Sequence, residues 1–160
     1  MIKFIGLLFV FLCFAMSGHL LARREKERID AAEGMLYLIR SIRQNVAFYK
    51  TPLNEIYKRF SHPSLQNGQF LPILNQKGLK NAYLSEKERF AYDTFTENRF
   101  LNFAEHIGKL PLEEQVKSCD MICDVLEEKL HEAKNKFPTQ KKLYLVLSIS
   151  LGISVVILFL

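Results

Sequence analysis

The sequence has few of the residues that carry chemistry or crosslinks. It contains three cysteines in 160 residues, and their spacing does not form a disulfide framework, which favours a reducing compartment. No glycine-rich loop of the kind that cradles phosphates is present, so we do not expect the chain to hydrolyse a nucleotide by itself. No segment alternates apolar and polar residues with the period of two that is typical of a β-strand. These absences favour an all-helical protein that is not an enzyme.

The cysteines, histidines and acids do not form a metal or catalytic site. Four of them follow one helix face at four-residue steps: Cys119, Cys123, Glu127 and His131. A straight helix spreads these four side chains over about 18 Å, which is too far for one metal ion. No histidine has a partner at the fixed spacing that a general base requires. We therefore expect no metal, no cofactor and no catalytic residue.

Two long apolar runs flank the middle of the chain. Residues 143–160 include 18 positions without a charge, of which 13 are Leu, Ile, Val or Phe. At a rise of about 1.5 Å per residue this run covers roughly 27 Å, enough to cross the core of a bilayer. A second apolar run precedes residue 23. We predict transmembrane helices at 2–22 and 143–160, with a helical domain at 23–142 between them.

Basic residues cluster at the inner edge of both apolar runs. They are Arg23, Arg24, Lys26, Arg28, Lys134, Lys136, Lys141 and Lys142. Because cytoplasmic flanks of membrane spans are rich in Lys and Arg, we expect the domain in the cytoplasm and both termini outside. The alternative is a signal peptide cut after Ser17, which would leave an extracytoplasmic helical binding domain anchored by its C-terminal tail. The net charge of +5 comes largely from these flanks, so we expect no binding of nucleic acid.

The middle of the chain predicts an antiparallel bundle of six helices between the two spans. The helices are expected at about 23–50, 52–60, 68–77, 82–92, 95–107 and 112–137. Capping boxes at Ser85 and Thr94 separate the fourth and fifth helices, and one continuous helix over 82–107 is the alternative. Apolar residues along the last helix follow a heptad pattern, and Pro138 is expected to break or kink it.

Two sets of residues are candidates for contacts with other helices or proteins. Small side chains in the apolar runs predict close helix packing in lipid: Ala15, Gly18, Ala22, Ser148 and Gly152. Acidic side chains on the last predicted helix, 112–137, which we call the last stem, predict a docking surface for a basic partner: Glu113, Glu114, Glu127 and Glu128. A solvated helix face is the alternative for the acids.

The whole layout resembles one known family. A first span with a basic flank leads through a long helix to Thr51-Pro52-Leu53, and a turn at Gly108 leads to Gln115 and the heptad stem. This arrangement resembles the stage III sporulation protein AB family, whose pattern gives Thr51, Pro52, Gly108 and Gln115 a structural role. The family's soluble domain is similar to the cytoplasmic domain of the inner-membrane platform proteins of type II secretion and type IV pilus machines.

The resemblance implies a function as well as a fold. It places the protein in the mother-cell membrane around the forespore, as a non-enzymatic platform of a secretion-like channel. The implied partners are a secretion-type hexameric ATPase similar to stage III sporulation protein AA, other membrane proteins of the channel, and the lipid bilayer. The resemblance is compatible with a homo-oligomer but does not imply one.

Overall fold

The computed structural model describes residues 2–90 and 92–159, with the side chains at 2–5, 7, 8, 10, 11 and 159 outside that description. The α-helices are α1 Ile2–Gln44, α2 Leu53–Arg59, α3 Pro63–Gln66, α4 Phe70–Ser85, α5 Lys87–Phe90, α6 Thr94–His106 and α7 Leu112–Phe159, and a π-helix, Asn45–Tyr49, extends α1. The described residues contain no strand, which confirms the all-helical prediction. The short helix α3 was not among the six predicted helices, and α5 covers only part of the helix predicted over 82–92.

The chain forms two compact units. One, the terminal unit, consists of residues up to Glu27 and from Ala133 onward, and the other, the central unit, is Arg28–Glu132. Helices α1 and α7 each contribute residues to both units. The predicted domain at 23–142 stays a prediction.

Within the central unit, α1 forms the first stem, and one stripe of its side chains is buried. Its deepest residues recur at spacings of three and four: Ala31, Met35, Leu38, Ile39, Ile42 and Val46. Each large apolar side chain in such a stripe stabilises the fold by about 1.5–3 kcal/mol. Arg43 continues the same spacing, but its side chain is partly exposed.

The heptad pattern of the last stem is confirmed within the central unit. Cys119, Cys123, Leu126 and Leu130 are buried, and Val116 packs against the same core. Helix α7 continues through Pro138, so the expected break does not occur, and a kink there stays a prediction. A proline removes one backbone hydrogen bond from a helix but does not always end it.

An aromatic cluster fills the core beneath α4, α5 and α6. The rings of Tyr83 and Phe100 have centroids 4.8 Å apart, and Phe90 lies 5.6 Å from both Tyr83 and Phe70. Tyr92 stacks on Tyr83 at 6.1 Å. Burial of the Tyr83 phenol raises its pKa to about 12. Edge and offset contacts of this kind add to the stabilisation from burial alone.

The predicted helix over 82–92 is wrong in its bounds. Gly78 adopts φ 80° and ψ 178°, a conformation open almost only to glycine, and helical backbone resumes directly after it. Ser85, predicted to form a capping box, instead lies at the end of α4, where its hydroxyl donates to the Ala82 carbonyl at 2.7 Å. Separate helices rather than one over 82–107 are confirmed, because α5 ends at Phe90 and α6 begins at Thr94.

The carboxylate of Glu86 explains why α4 starts where it does. One of its oxygens accepts hydrogen bonds from the backbone N–H groups of Gln69 and Phe70, at 2.5 and 3.1 Å. Its other oxygen accepts from Arg89 at 2.7 Å, and Arg89 also donates to the Ser64 carbonyl. A side chain that follows α4 therefore supplies the cap at the start of α4, since Gln69 itself makes no side-chain cap.

At Gly34, the residues that lead from α2 into α3 lie close to the backbone of α1. A Cβ atom there would lie 2.5 Å from the Ser64 hydroxyl and 3.0 Å from Nδ1 of His62. Those two side chains are hydrogen-bonded to each other at 2.7 Å. The absence of a side chain at Gly34 therefore permits this contact.

Replacing Glu86 by alanine tests the long-range cap. We expect Glu86→Ala to lower the free energy of unfolding by about 1–3 kcal/mol, because two backbone N–H groups lose a charged acceptor. Chemical denaturation of the detergent-solubilised chain, followed by far-UV circular dichroism, measures this. The matched control is Glu88→Ala, at an exposed position on α5. Equal stability of the two variants would contradict the assignment.

Candidate interaction surfaces

In the central unit, two ion pairs connect the first and last stems. Arg43 donates from Nε and Nη2 to the two carboxylate oxygens of Asp120, at 2.5 and 3.3 Å. One helical turn away, Nη2 of Arg40 lies 2.6 Å from an oxygen of Glu127. The hydrogen bond with Asp120 raises the pKa of the Arg43 guanidinium. These pairs fix the antiparallel register of α1 and α7 within the unit.

The predicted acidic surface is therefore only partly available to a partner. Glu127 is already paired with Arg40, whereas Glu113, Glu114 and Glu128 are exposed. In the part of the chain that the structure describes, these three carboxylates make no ion pair. Docking of a basic partner on this surface stays a prediction, now limited to the three exposed acids.

The two cysteines of the last stem serve packing. Burial raises the pKa of the Cys119 thiol to about 12 and that of Cys123 to about 11, so both stay protonated near neutral pH. A thiol in this state is a poor nucleophile and a poor metal ligand. Among the described residues, no group of three or more His, Cys, Asp or Glu side chains could hold a metal ion.

Two distant parts of the sequence meet at the end of α1. Thr51, Pro52, Gly108 and Gln115 all line one cavity of about 670 Å³ in the central unit. Gly108 has φ 86°, and a Cβ atom there would lie 2.5 Å from Cδ1 of Leu53. Pro52 caps α2, and Nε2 of Gln115 donates to the Leu110 carbonyl at 2.6 Å. These residues shape the two walls of an open groove.

The sequence did not identify the remaining residues of this groove. Lys50 and Lys109 line it, and the side chains of Phe48 and Tyr49 next to it are 74% and 75% exposed. Adjacent aromatic residues before Thr51-Pro52 were a signal in the sequence. Both rings lie in the π-helix, which no sequence pattern indicated.

In the terminal unit, small residues allow the two helices to approach closely. Gly18 and Ser148 meet, since a Cβ atom on Gly18 would lie 2.5 Å from the Ser148 hydroxyl and 3.0 Å from the Tyr144 carbonyl oxygen. Ala22 and Gly152 are also buried, and Ala15 is half-buried. The structure thus brings Gly18 and Ser148 together. Their role in packing within lipid stays a prediction.

Large apolar side chains cover the outside of the terminal unit. Exposed examples are Phe9, Leu12, Met16, Leu20, Leu143, Val146, Leu151, Ile153 and Ile157. Within the described residues, one helix, Leu112–Leu158, contains a window apolar enough to cross a membrane, with a mean hydropathy of 1.8. The predicted span at 2–22 includes several residues whose side chains the structure does not describe, so this span stays a prediction. The prediction that a helical bundle lies between two spans is likewise untested.

Comparison with protein families identifies the chain over nearly its whole length. The family model for stage III sporulation protein AB matches residues 3–160. The chain belongs to that family. It is therefore a protein of stage III of sporulation, and the family is not a known enzyme family. No curated protein and no solved structure matches the chain.

Substitution of Gly18 tests the helix contact in the terminal unit. We expect Gly18→Val to lower the stability of the detergent-solubilised protein by about 1–3 kcal/mol, because the new side chain overlaps Ser148 and a backbone carbonyl. Thermal unfolding followed by circular dichroism measures the change. Gly6→Val is the matched control, since a Cβ atom at Gly6 has nothing within 4 Å. Equal shifts in the two variants would show that the helices do not pack through Gly18.

Proposed function

We propose that the protein is a non-enzymatic membrane platform that couples a secretion-type ATPase to the channel between mother cell and forespore. Membership in the stage III sporulation protein AB family supports a role in this stage. In this proposal the C-terminal apolar helix and the run at 2–22 hold the protein in the mother-cell membrane. The central unit lies in the cytoplasm, where it has access to the motor.

The observation that carries the proposal is the combination of braced stems and exposed acids in the central unit. Arg43–Asp120 and Arg40–Glu127 hold α1 and α7 in one register. Glu113, Glu114 and Glu128 project from α7 into solvent. A rigid helix pair with charges on its surface suits a protein that transmits force, because charge complementarity orients a partner without chemical change.

The environments of two cysteines and two histidines in the central unit are consistent with this role. The buried thiols of Cys119 and Cys123 have raised pKa values, and His62 and His106 are engaged in local hydrogen bonds. We propose that the ATPase supplies the energy and that this protein supplies an anchored surface.

Charge reversal tests the docking surface. We expect the triple variant Glu113→Lys, Glu114→Lys, Glu128→Lys to weaken binding of the ATPase by about tenfold or more, mainly through a slower on-rate that depends on salt. Binding to the detergent-solubilised full chain measures this. The Glu88→Lys variant, at an exposed acid on α5, is the control for a single reversal. Because Glu113 and Glu114 also face the N-terminal dipole of α7, circular dichroism must show that the triple variant remains folded. Unchanged binding would remove the acids from the docking surface.

Protease accessibility tests the orientation. A tag inserted at Asn67, which is exposed between α3 and α4, should survive protease treatment of intact cells stripped of their wall. It should be cleaved once the membrane is permeabilised. Cleavage in intact cells would place the central unit outside and would exclude coupling to a cytoplasmic motor.

A further inference from the structure

The groove at the end of α1, hereafter the end groove, has the size of a binding site. Its volume of about 670 Å³ lies within the range of roughly 300–1,000 Å³ that is typical of ligand pockets. Its apolar residues come from four segments: Val46, Leu53, Ile107 and Leu112. The π-helix, α2, the end of α6 and the start of α7 therefore all contribute to it.

The backbone beside the end groove is strained. α1 ends in the π-helix Asn45–Tyr49, and the next residue, Lys50, has φ 50°. A left-handed conformation is costly for any residue with a Cβ atom. Single π-helical turns within α-helices are frequent at functional sites. Here Phe48 and Tyr49 lie in the π-helix and are exposed, and Lys50 directly after it lines the groove.

The charges of the end groove are of one sign. Among the described residues that line it, Lys50 and Lys109 are the charged ones. Both side chains are exposed, and neither makes an ion pair within the described chain. The lining thus combines apolar side chains with two positive charges, so an occupant with both a carboxylate and an apolar side chain complements it.

The neighbouring residues favour a protein segment as that occupant. Phe48 and Tyr49 are exposed large aromatics of the kind enriched at the centres of protein interfaces. Glu113 and Glu114 follow Leu112 directly and would repel a ligand with many negative charges. A segment with one carboxylate beside an apolar or aromatic anchor meets the two lysines and avoids this repulsion.

We propose that the end groove binds an apolar segment of the ATPase that carries a carboxylate, with the apolar side chain against Leu53 and Ile107 and the carboxylate beside Lys50 and Lys109. This inference rests on the proposed function and adds a second contact of opposite charge beside the exposed acids. The motor would then be held through both signs of charge. Such an arrangement fixes its orientation better than one charged patch alone.

Hydrogen exchange locates the contact without any substitution. The full chain in detergent is mixed with the purified ATPase, and protection of backbone amides is compared with that of the chain alone. We expect added protection at residues 45–54 and 107–115. Protection confined to other parts of the central unit would overturn the inference while the proposed function stands. Failure of the unmodified chain to bind the ATPase would contradict both.

Reversing the charge of the two lysines in the end groove is the second test of the inference. We expect Lys50→Glu with Lys109→Glu to weaken the affinity for the ATPase at least tenfold. The matched control is Lys58→Glu with Lys77→Glu, at exposed lysines outside the groove, which should change it less than threefold. Equal effects of the two pairs would overturn the inference. Protection of 45–54 that increases with concentration of the chain alone would assign the groove to a second copy, and would also overturn it.

Discussion

The antiparallel register of α1 and α7 is the constraint on which the central unit depends. The partly exposed ion pairs Arg43–Asp120 and Arg40–Glu127 add little free energy, because exposed pairs are screened and restrict long side chains. The buried seam around Met35 and Cys119 provides the stability. The ion pairs instead oppose a shift of one helix along the other, which would remove both of them at once.

The same register determines what the unit presents to a partner. In this register Asp120 and Glu127 form ion pairs between α1 and α7, whereas Glu113, Glu114 and Glu128 remain exposed to solvent. It also aligns the end of α1 with the start of α7, so that Lys50 and Gln115 line one groove although 65 positions separate them in the sequence. Internal packing and surface chemistry thus arise from one alignment of two helices.

Local patterns predicted the helices well where one face is simply apolar. The heptad from Val116 to Leu130 is confirmed, because periodicity reports burial directly, and the buried stripe of α1 follows the same spacing of three and four. The bounds around Ser85 were wrong for a different reason. Glu86 caps a helix that begins 16 residues earlier in the chain, and no local motif describes a cap supplied from such a distance. Likewise, the sequence singled out Thr51 and Gly108 separately, but only the folded chain shows that they line the same groove.

Gly34 shows how this chain secures a connection without a covalent link. Glycine within a helix is less favourable than alanine by about 0.8–1.0 kcal/mol, so Gly34 lowers the intrinsic stability of α1 as a helix. In return the hydrogen-bonded His62 and Ser64 lie directly on its backbone. The three cysteines are free, so no disulfide holds the connection from α2 to α3, and its contacts with α1 include the ring of Tyr37, 5.3 Å from that of His62. Because no thiol takes part in these contacts, they do not depend on the redox state of the surroundings.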